Sequence, residues 1–488
     1  MSVKFGKASR TVAKNTFFNA LAGVVIQCLS VVTGIFIARS FGVAGYGDLS
    51  FAKSLTGILM MGTDFGITKI AIRKASVDSQ NYGRYLLTYL ITRLALSFLA
   101  YGALFVITLN ADFSATSNLL ILLYGLLIFA NVFSVKWVFT AHQRMEFKSL
   151  SEVIDKMIYI LFIFSFYFAF KTIFIVPVSM VLSLALATCL EWYILKKKFP
   201  GFKLALDKTF MKELFIYSWP VGLSSSASLL NSNLDSIFLK LYHGSVLTGE
   251  FNAAHRLITF IIMLGSFFTM SLYPLMCERA TGPKEVLEKT MNKSTRYLVS
   301  LIVPILFGFT VIGPKMLVLL FGESFAGGGI ILQILVWTTV FVLLGRLFGN
   351  LLTALNKQNV FMVIMVISVG IKTSLNFALI PAYQLIGVGI SALVTEFMIF
   401  FSVFLVLRKE YELKIVSPFF KSICAGAVMA ICLIKLEGLN LFLLIGIAPF
   451  VYFPVLALLG GITKKDRALI SSIIGEYGQV ILKRINRK

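Results

Sequence analysis

Long apolar runs separated by short polar breaks set the pattern of this chain. A membrane-spanning helix needs about 20 mostly apolar residues. Fourteen stretches qualify: 16–38, 48–70, 85–109, 118–141, 152–170, 173–195, 214–240, 246–276, 294–314, 328–354, 358–380, 385–407, 418–436 and 439–462. GPKMLVLLFGESFAGG, at 313–328, reads as a short interfacial helix and turn. The pattern predicts an all-α polytopic membrane protein. It divides into a six-helix bundle at 1–198, a basic linker at 199–213, a second six-helix bundle at 214–408 and two further helices at 409–462. A basic tail follows at 463–488, where Ile470, Ile473, Ile474, Tyr477 and Ile481 recur at helical spacing. That spacing predicts an amphipathic helix on the membrane surface.

The two bundles carry an internal repeat. Ile35–Met61 aligns without gaps on Ile237–Met263 at an offset of 202 residues. Gly42 falls on Gly244, Gly47 on Gly249, Ala52 on Ala254 and Leu55 on Leu257. Asp48 falls on Glu250, and Lys53 falls on His255, next to Arg256. Two similar hydrophobic halves are the usual plan of a secondary transporter, with the substrate site where the halves meet.

Composition supports the membrane reading. The chain is 58% hydrophobic and 14% charged, against roughly 25% charged residues in soluble domains. Lys and Arg outnumber Asp and Glu 45 to 22, a net charge of +23. These cations fall in alternate loops, as in Arg73, Lys74 and Arg84 or Lys196–Lys198, whereas 110–118 and 381–387 have none. By the positive-inside rule this places both termini in the cytoplasm. The charge therefore belongs to topology and anionic lipid rather than to nucleic acid. The basic N-terminus runs straight into an apolar helix, which reads as an uncleaved first span. The five cysteines form no CxxC, and the three histidines are scattered, so neither a metal site nor a cofactor is expected.

No catalytic motif is present: there is no P-loop, nucleophile elbow or HExxH. The chain reads as a non-enzyme whose chemistry lies in charges placed within apolar helices. Such charges are costly and face a bundle interior or aqueous cavity. The candidate substrate-binding cations are Lys53, Arg93, Arg256, Arg346 and Lys372. Asp64, Asp235, His255 and Glu396 are candidates for ion coupling or charge pairing. Each can equally be a structural ion pair or a side chain snorkelling from a helix end. Lys136 and Asp155 lie nearer the loops. Lys53 and Arg256 occupy nearly equivalent repeat positions, which would put positive charge on both walls of a central cavity. Arginine suits an anionic group such as phosphate. The polar run GLSSSASLLNSN before Asp235 fits either sugar hydroxyls or close helix packing.

Five stretches carry a family resemblance: ARSFGVAGYGDLSFAKSL (38–55), DFGI (64–67), FNAAHRLITF (251–260), GNLLTALNKQN (349–359) and SLNFALIPAYQLIGVGISALVTE (374–396). The chain resembles the Wzx-type O-antigen flippases, the polysaccharide branch of the multidrug/oligosaccharidyl-lipid/polysaccharide (MOP) exporter superfamily. The resemblance implies MATE-like six-helix bundles around a V-shaped cavity, with two extra C-terminal helices. It implies transfer of an undecaprenyl-diphosphate-linked oligosaccharide, such as an O-antigen unit of lipopolysaccharide, across the bacterial cytoplasmic (inner) membrane. A polysaccharide polymerase and a chain-length regulator are the implied partners. Related lipid II flippases line the cavity with arginines from the first, second and eighth helices. Arg256 matches the eighth-helix position, Lys53 stands in the second helix, and the first offers only Arg39 near its end. Drug-exporting relatives often use a first-helix carboxylate, and none is present here. A lipid II or teichoic-acid precursor flippase, a cation-coupled multidrug antiporter and an envelope scaffold remain the alternatives.

Overall fold

The structure, a computed structural model, describes residues 2–78, 81–199, 204–461 and Asp466. Before residue 21 it describes side chains only at Asn15, Phe18 and Asn19. The regular elements among the described residues are all helical. They are α1 (Ser2–Asp64), α2 (Ile67–Val77), α3 (Tyr82–Asn110), α4 (Ala115–Val132), α5 (Lys136–Ala141), α6 (Met145–Phe170) and α7 (Ile175–Lys198). Then come α8 (Lys208–Ala280), α9 (Lys284–Phe321), α10 (Gly328–Ala354), α11 (Gln358–Arg408), α12 (Val416–Lys435) and α13 (Leu441–Leu458).

Eleven of these helices are long and apolar enough to cross a membrane. Three of them break at a single residue: α1 at Gly42 (φ 68°, ψ 177°), α8 at Gly244 (φ 80°, ψ −164°) and α11 at Gln384 (φ 52°, ψ −125°). Each break divides one long helix into two crossings, so fourteen apolar segments result, as the hydropathy pattern predicts. The conformation at Gly42 and Gly244 is open essentially to glycine alone, and the offset of 202 relates the two.

Three boundaries differ from the sequence reading. The second predicted span, 48–70, stops at Asp64 and resumes as α2 after Phe65 (φ 25°) and Gly66 (φ 87°). The Asp64 carboxylate accepts the Thr68 N–H at 3.1 Å and also the Thr68 hydroxyl, satisfying a donor in the first turn of α2. The fourth span, 118–141, divides into α4 and α5. There Glu191 of α7 accepts the Val135 N–H at 2.8 Å and the Ser134 hydroxyl at 2.9 Å. Its negative charge sits at the N-terminus of α5, where free N–H groups favour it. The stretch at 313–328 is no separate interfacial helix: α9 runs through Pro304 and Pro314 to Phe321, followed by a 3-10 turn at Glu323–Phe325. Of the tail, only Asp466 is described. It accepts from Arg296 at 2.8 and 2.9 Å and from the Tyr297 hydroxyl at 2.6 Å. The amphipathic helix predicted for 463–488 otherwise lies outside the described residues.

The helices form two sets. In one, α1 packs on α3, α4 and α6, and α7 on α4 and α6. In the other, α10 packs on α8, α9 and α11, with α12 against α9 and α13. The sets meet chiefly along α1 and α8. Beside the two glycine breaks this contact is reciprocal. A Cβ on Gly47 would strike the Ser245 carbonyl, and one on Gly249 would strike the Val43 carbonyl. Residues 43 and 245, like 47 and 249, are 202 apart, so the sequence repeat is also a symmetry of the seam. At the other end α2 meets the start of α8. There a Cβ on Gly66 would collide with the Ser218 carbonyl, and one on Gly222 with that of Phe65. Lys74 pairs with Glu213 at 2.5 Å and Arg84 with Asp207 at 2.9 Å. A small separate core of Ile67, Tyr89, Trp137, Phe210 and Leu214 lies beneath them.

Candidate transport site

Between these two contacts the seam holds a cavity of about 470 Å³. Its wall comes from α1, α4, α6, α7 and α8, so both sets of helices contribute. Three cations line it: Lys53 from α1, Lys156 from α6 and Arg256 from α8. No Asp or Glu is among its described lining residues. The rest of the wall is hydroxyl and amide, with Gln27, Ser30, Ser50, Asn233 and Asn252 as examples.

The seam dictates how Arg256 lies. Its Nη1 donates to the Ser30 carbonyl at 2.9 Å. The guanidinium rests on Gly34, where a Cβ would overlap Nη1. The guanidinium carbon stands 6.0 Å from the Tyr46 ring centroid, within range of a cation–π contact. With one hydrogen bond among the described residues, most of its five donors stay open to a ligand. Lys53 has no hydrogen-bond or ion-pair partner among the described residues. Lys156 sits 4.5 Å from the Tyr159 ring centroid. Three basic side chains facing one small space, none of them in an ion pair among the described residues, create a positive field that suits an anion. His255 also lines the cavity, its ring stacked 5.4 Å from Phe251.

The other candidates fall elsewhere. Arg93 is buried in α3 and donates to the Tyr89 hydroxyl at 2.6 Å and to Asn131 Oδ1 at 3.1 Å. It does not line the cavity. Lys372 is buried in α11 and pairs with Asp235 at 2.8 Å, and its ammonium also donates to the Asn231 carbonyl at 2.6 Å. Asn376 donates to Asp235 at 3.0 Å and accepts from Ser391 at 2.5 Å, completing a closed polar cluster. Both cations, read from the sequence as substrate contacts, bond to protein partners, although the buried Nε of Arg93 has none. Asp64 holds the start of α2. Arg346 and Glu396 line a second space of about 460 Å³ within the second set. Arg39 donates to the carbonyls of Leu319 and Leu320 at the end of α9, away from the cavity.

Sequence reasoning missed three residues. Lys156 carried a signal, being a lysine inside an apolar run, but adjoins Asp155 near a helix end. Glu191 is fully buried and also accepts from Ser151 at 2.6 Å, with Lys136 at 3.6 Å. Asp48 pairs with Lys240 across the seam and accepts from Ser117 at 3.0 Å and Ser245 at 2.7 Å.

The fold is similar to that of known transporters. Lipid II flippase MurJ in an inward closed conformation superimposes with a TM-score of 0.74 at 14% identity, covering 93% of this chain and 99% of that one. The MATE multidrug transporter DinF-BH matches with a TM-score of 0.58 at 16% identity, covering 84% and 96%. The class is therefore a multi-span membrane protein with the fold of the MATE and MurJ transporters. The profile of the family described as polysaccharide biosynthesis protein matches residues 12–279, more than half of the chain. The chain belongs to that family, and the expected polysaccharide-biosynthesis assignment is borne out at this level. It is 24% identical over 415 residues to the capsular polysaccharide biosynthesis protein CapF of Staphylococcus aureus, covering 82% of this chain and all of that one. It is 23% identical over 408 residues to the probable low-salt glycan biosynthesis flippase Agl15 of Haloferax volcanii, covering 82% and 83%.

Proposed function

We propose that the chain is a flippase that moves undecaprenyl-diphosphate-linked oligosaccharide repeat units across the bacterial cytoplasmic membrane. The observation that carries this reading is the cavity on the seam, which holds Lys53, Lys156 and Arg256 and no described carboxylate. A diphosphate is the anionic part of such a lipid, and it can take bidentate hydrogen bonds from Arg256 while the lysines add point charge. The polar head occupies the cavity while the polyprenyl chain stays in the bilayer. The bundles at 1–198 and 214–408 rock about the seam, opening first one end and then the other, with both termini in the cytoplasm. The glycan relatives of this family support a polysaccharide precursor as cargo. O-antigen units are the cargo the sequence resemblance favours, with a polymerase and chain-length regulator acting next.

The test is surface polysaccharide in a deletion strain complemented with wild type, Lys53→Ala or Arg256→Ala. Loss on deletion, restored by wild type but not by either well-expressed variant, is the expected result. Full restoration by both variants would sink the cationic-cavity reading. A lipid II flippase is the second reading, favoured by the closeness of the fold to MurJ. Rescue of a strain depleted of its own lipid II flippase would select it.

A further inference from the structure

The second space lies beside the first, and its wall is different in kind. Helix α8 turns Asn233 and Ser236 toward the cationic cavity and Ser228 and Asn231 toward the second chamber, with Ser232 on both walls. The chamber has about 460 Å³, within the roughly 300–1,000 Å³ of small-molecule sites. Where the charged residues described on the cavity wall are all cations, the chamber holds both signs, Arg346 from α10 and Glu396 from α11. They form no ion pair with each other, and Glu396 has no polar partner among the described residues. Arg346 donates to the Ser266 hydroxyl.

One atom in this wall points to a ligand. Asn231 is 5% exposed, and its Nδ2 donates to Ser368 at 2.8 Å, which fixes the amide. Its Oδ1 is buried without a partner. A buried acceptor left unsatisfied costs about 1–3 kcal/mol, so this position is explained if something else supplies a donor.

We propose that this chamber is a glycan subsite, taking the first sugars of the lipid-linked oligosaccharide while the neighbouring cavity holds its diphosphate. The assignment rests on the flippase reading above. Sugar hydroxyls both donate and accept, and the chamber offers both partners: the Asn231 carbonyl oxygen and Glu396 accept, and Arg346 donates. Phe361 supplies a flat apolar wall for the C–H face of a ring. Diphosphate and sugar are covalently adjacent in the cargo, as cavity and chamber are adjacent across one turn of α8.

The test compares two probes on the purified full-length chain in lipid nanodiscs, with binding read by native mass spectrometry. One probe is undecaprenyl diphosphate. The other is the undecaprenyl-diphosphate-linked oligosaccharide extracted from the producing strain lacking this gene. Glu396→Gln and Asn231→Leu should each weaken the glycan-bearing probe about tenfold and the bare diphosphate by less than about twofold. Glu396→Gln keeps the side-chain shape, so a folding defect in Asn231→Leu does not remove the test. Equal loss with both probes, loss with neither, or equal wild-type affinity for the two overturns the subsite. Arg256→Ala reports separately: unchanged binding of bare undecaprenyl diphosphate would fail the cationic cavity, whereas the chamber is judged on the ratio between probes.

Discussion

The guanidinium of Arg256 lies against the bare backbone of Gly34, in the space a side chain there would fill. The hydrogen bond from Arg256 to Ser30, one turn earlier, holds it in place. Gly34 is therefore a positioning residue for the cation. Gly34→Leu should displace the guanidinium and lower polysaccharide export about tenfold or more, since hydrogen bonds to charged groups contribute roughly 1.5–3 kcal/mol. Gly62→Ala is the control, because a Cβ there meets open space. Surface polymer per molecule of expressed protein is the measurement, and full export by Gly34→Leu would refute the positioning role.

The Asp235–Lys372 pair should behave as a structural unit. Removing one partner leaves an uncompensated buried charge, which costs about 3–5 kcal/mol. Asp235→Leu and Lys372→Met should each lower the melting temperature in detergent, and the double variant should recover most of the loss. Additive losses in the double variant would point to separate roles.

How legible this was depends on the distance between partners. Fourteen crossings could be read because apolar runs and loop charge are local signals. The seam could be read because Gly42, Gly47, Gly244 and Gly249 repeat in register. The division of 118–141 was hidden, since the carboxylate receiving the Val135 N–H lies 56 residues further on. Arg93 and Lys372 looked like ligand contacts for the same reason. Asn131 and Asp235, which bond to them, are near only in the fold. The repeat put Lys53 and Arg256 on the walls of one cavity, and both line it, whereas Lys156, which lines it too, has no counterpart to mark it.

Glu191 meets the Val135 N–H, two serine hydroxyls and Lys136 within a fully buried site. Glu191→Ala leaves several donors unsatisfied and should destabilise the chain by about 3 kcal/mol. Glu191→Gln, which retains one acceptor oxygen, should lose less. Thermal unfolding of the purified variants ranks them, and equal melting temperatures would contradict the account.

Asp48 and Lys240 join the two sets at the glycine end of the seam. Asp48→Ala should loosen that end. In a chain with its five cysteines replaced by alanine, a Ser50→Cys label site inside the cavity should react several-fold faster with a membrane-impermeant maleimide applied from that side. An unchanged rate would show that the backbone contact alone keeps this end shut.

The reciprocal contact of Gly47 with Ser245 and Gly249 with Val43 leaves no clearance between the two turns. Inserting one residue into either turn would bring a side chain against a carbonyl and rotate the helix that follows. The turns can therefore part and rejoin in only one register, like the teeth of a clasp. Two packed arrangements separated by a gap, rather than a continuous slide, follow from such a joint. Innovation in cargo is then pushed away from the clasp and into the walls on either side of α8, where side chains can change without altering how the halves close.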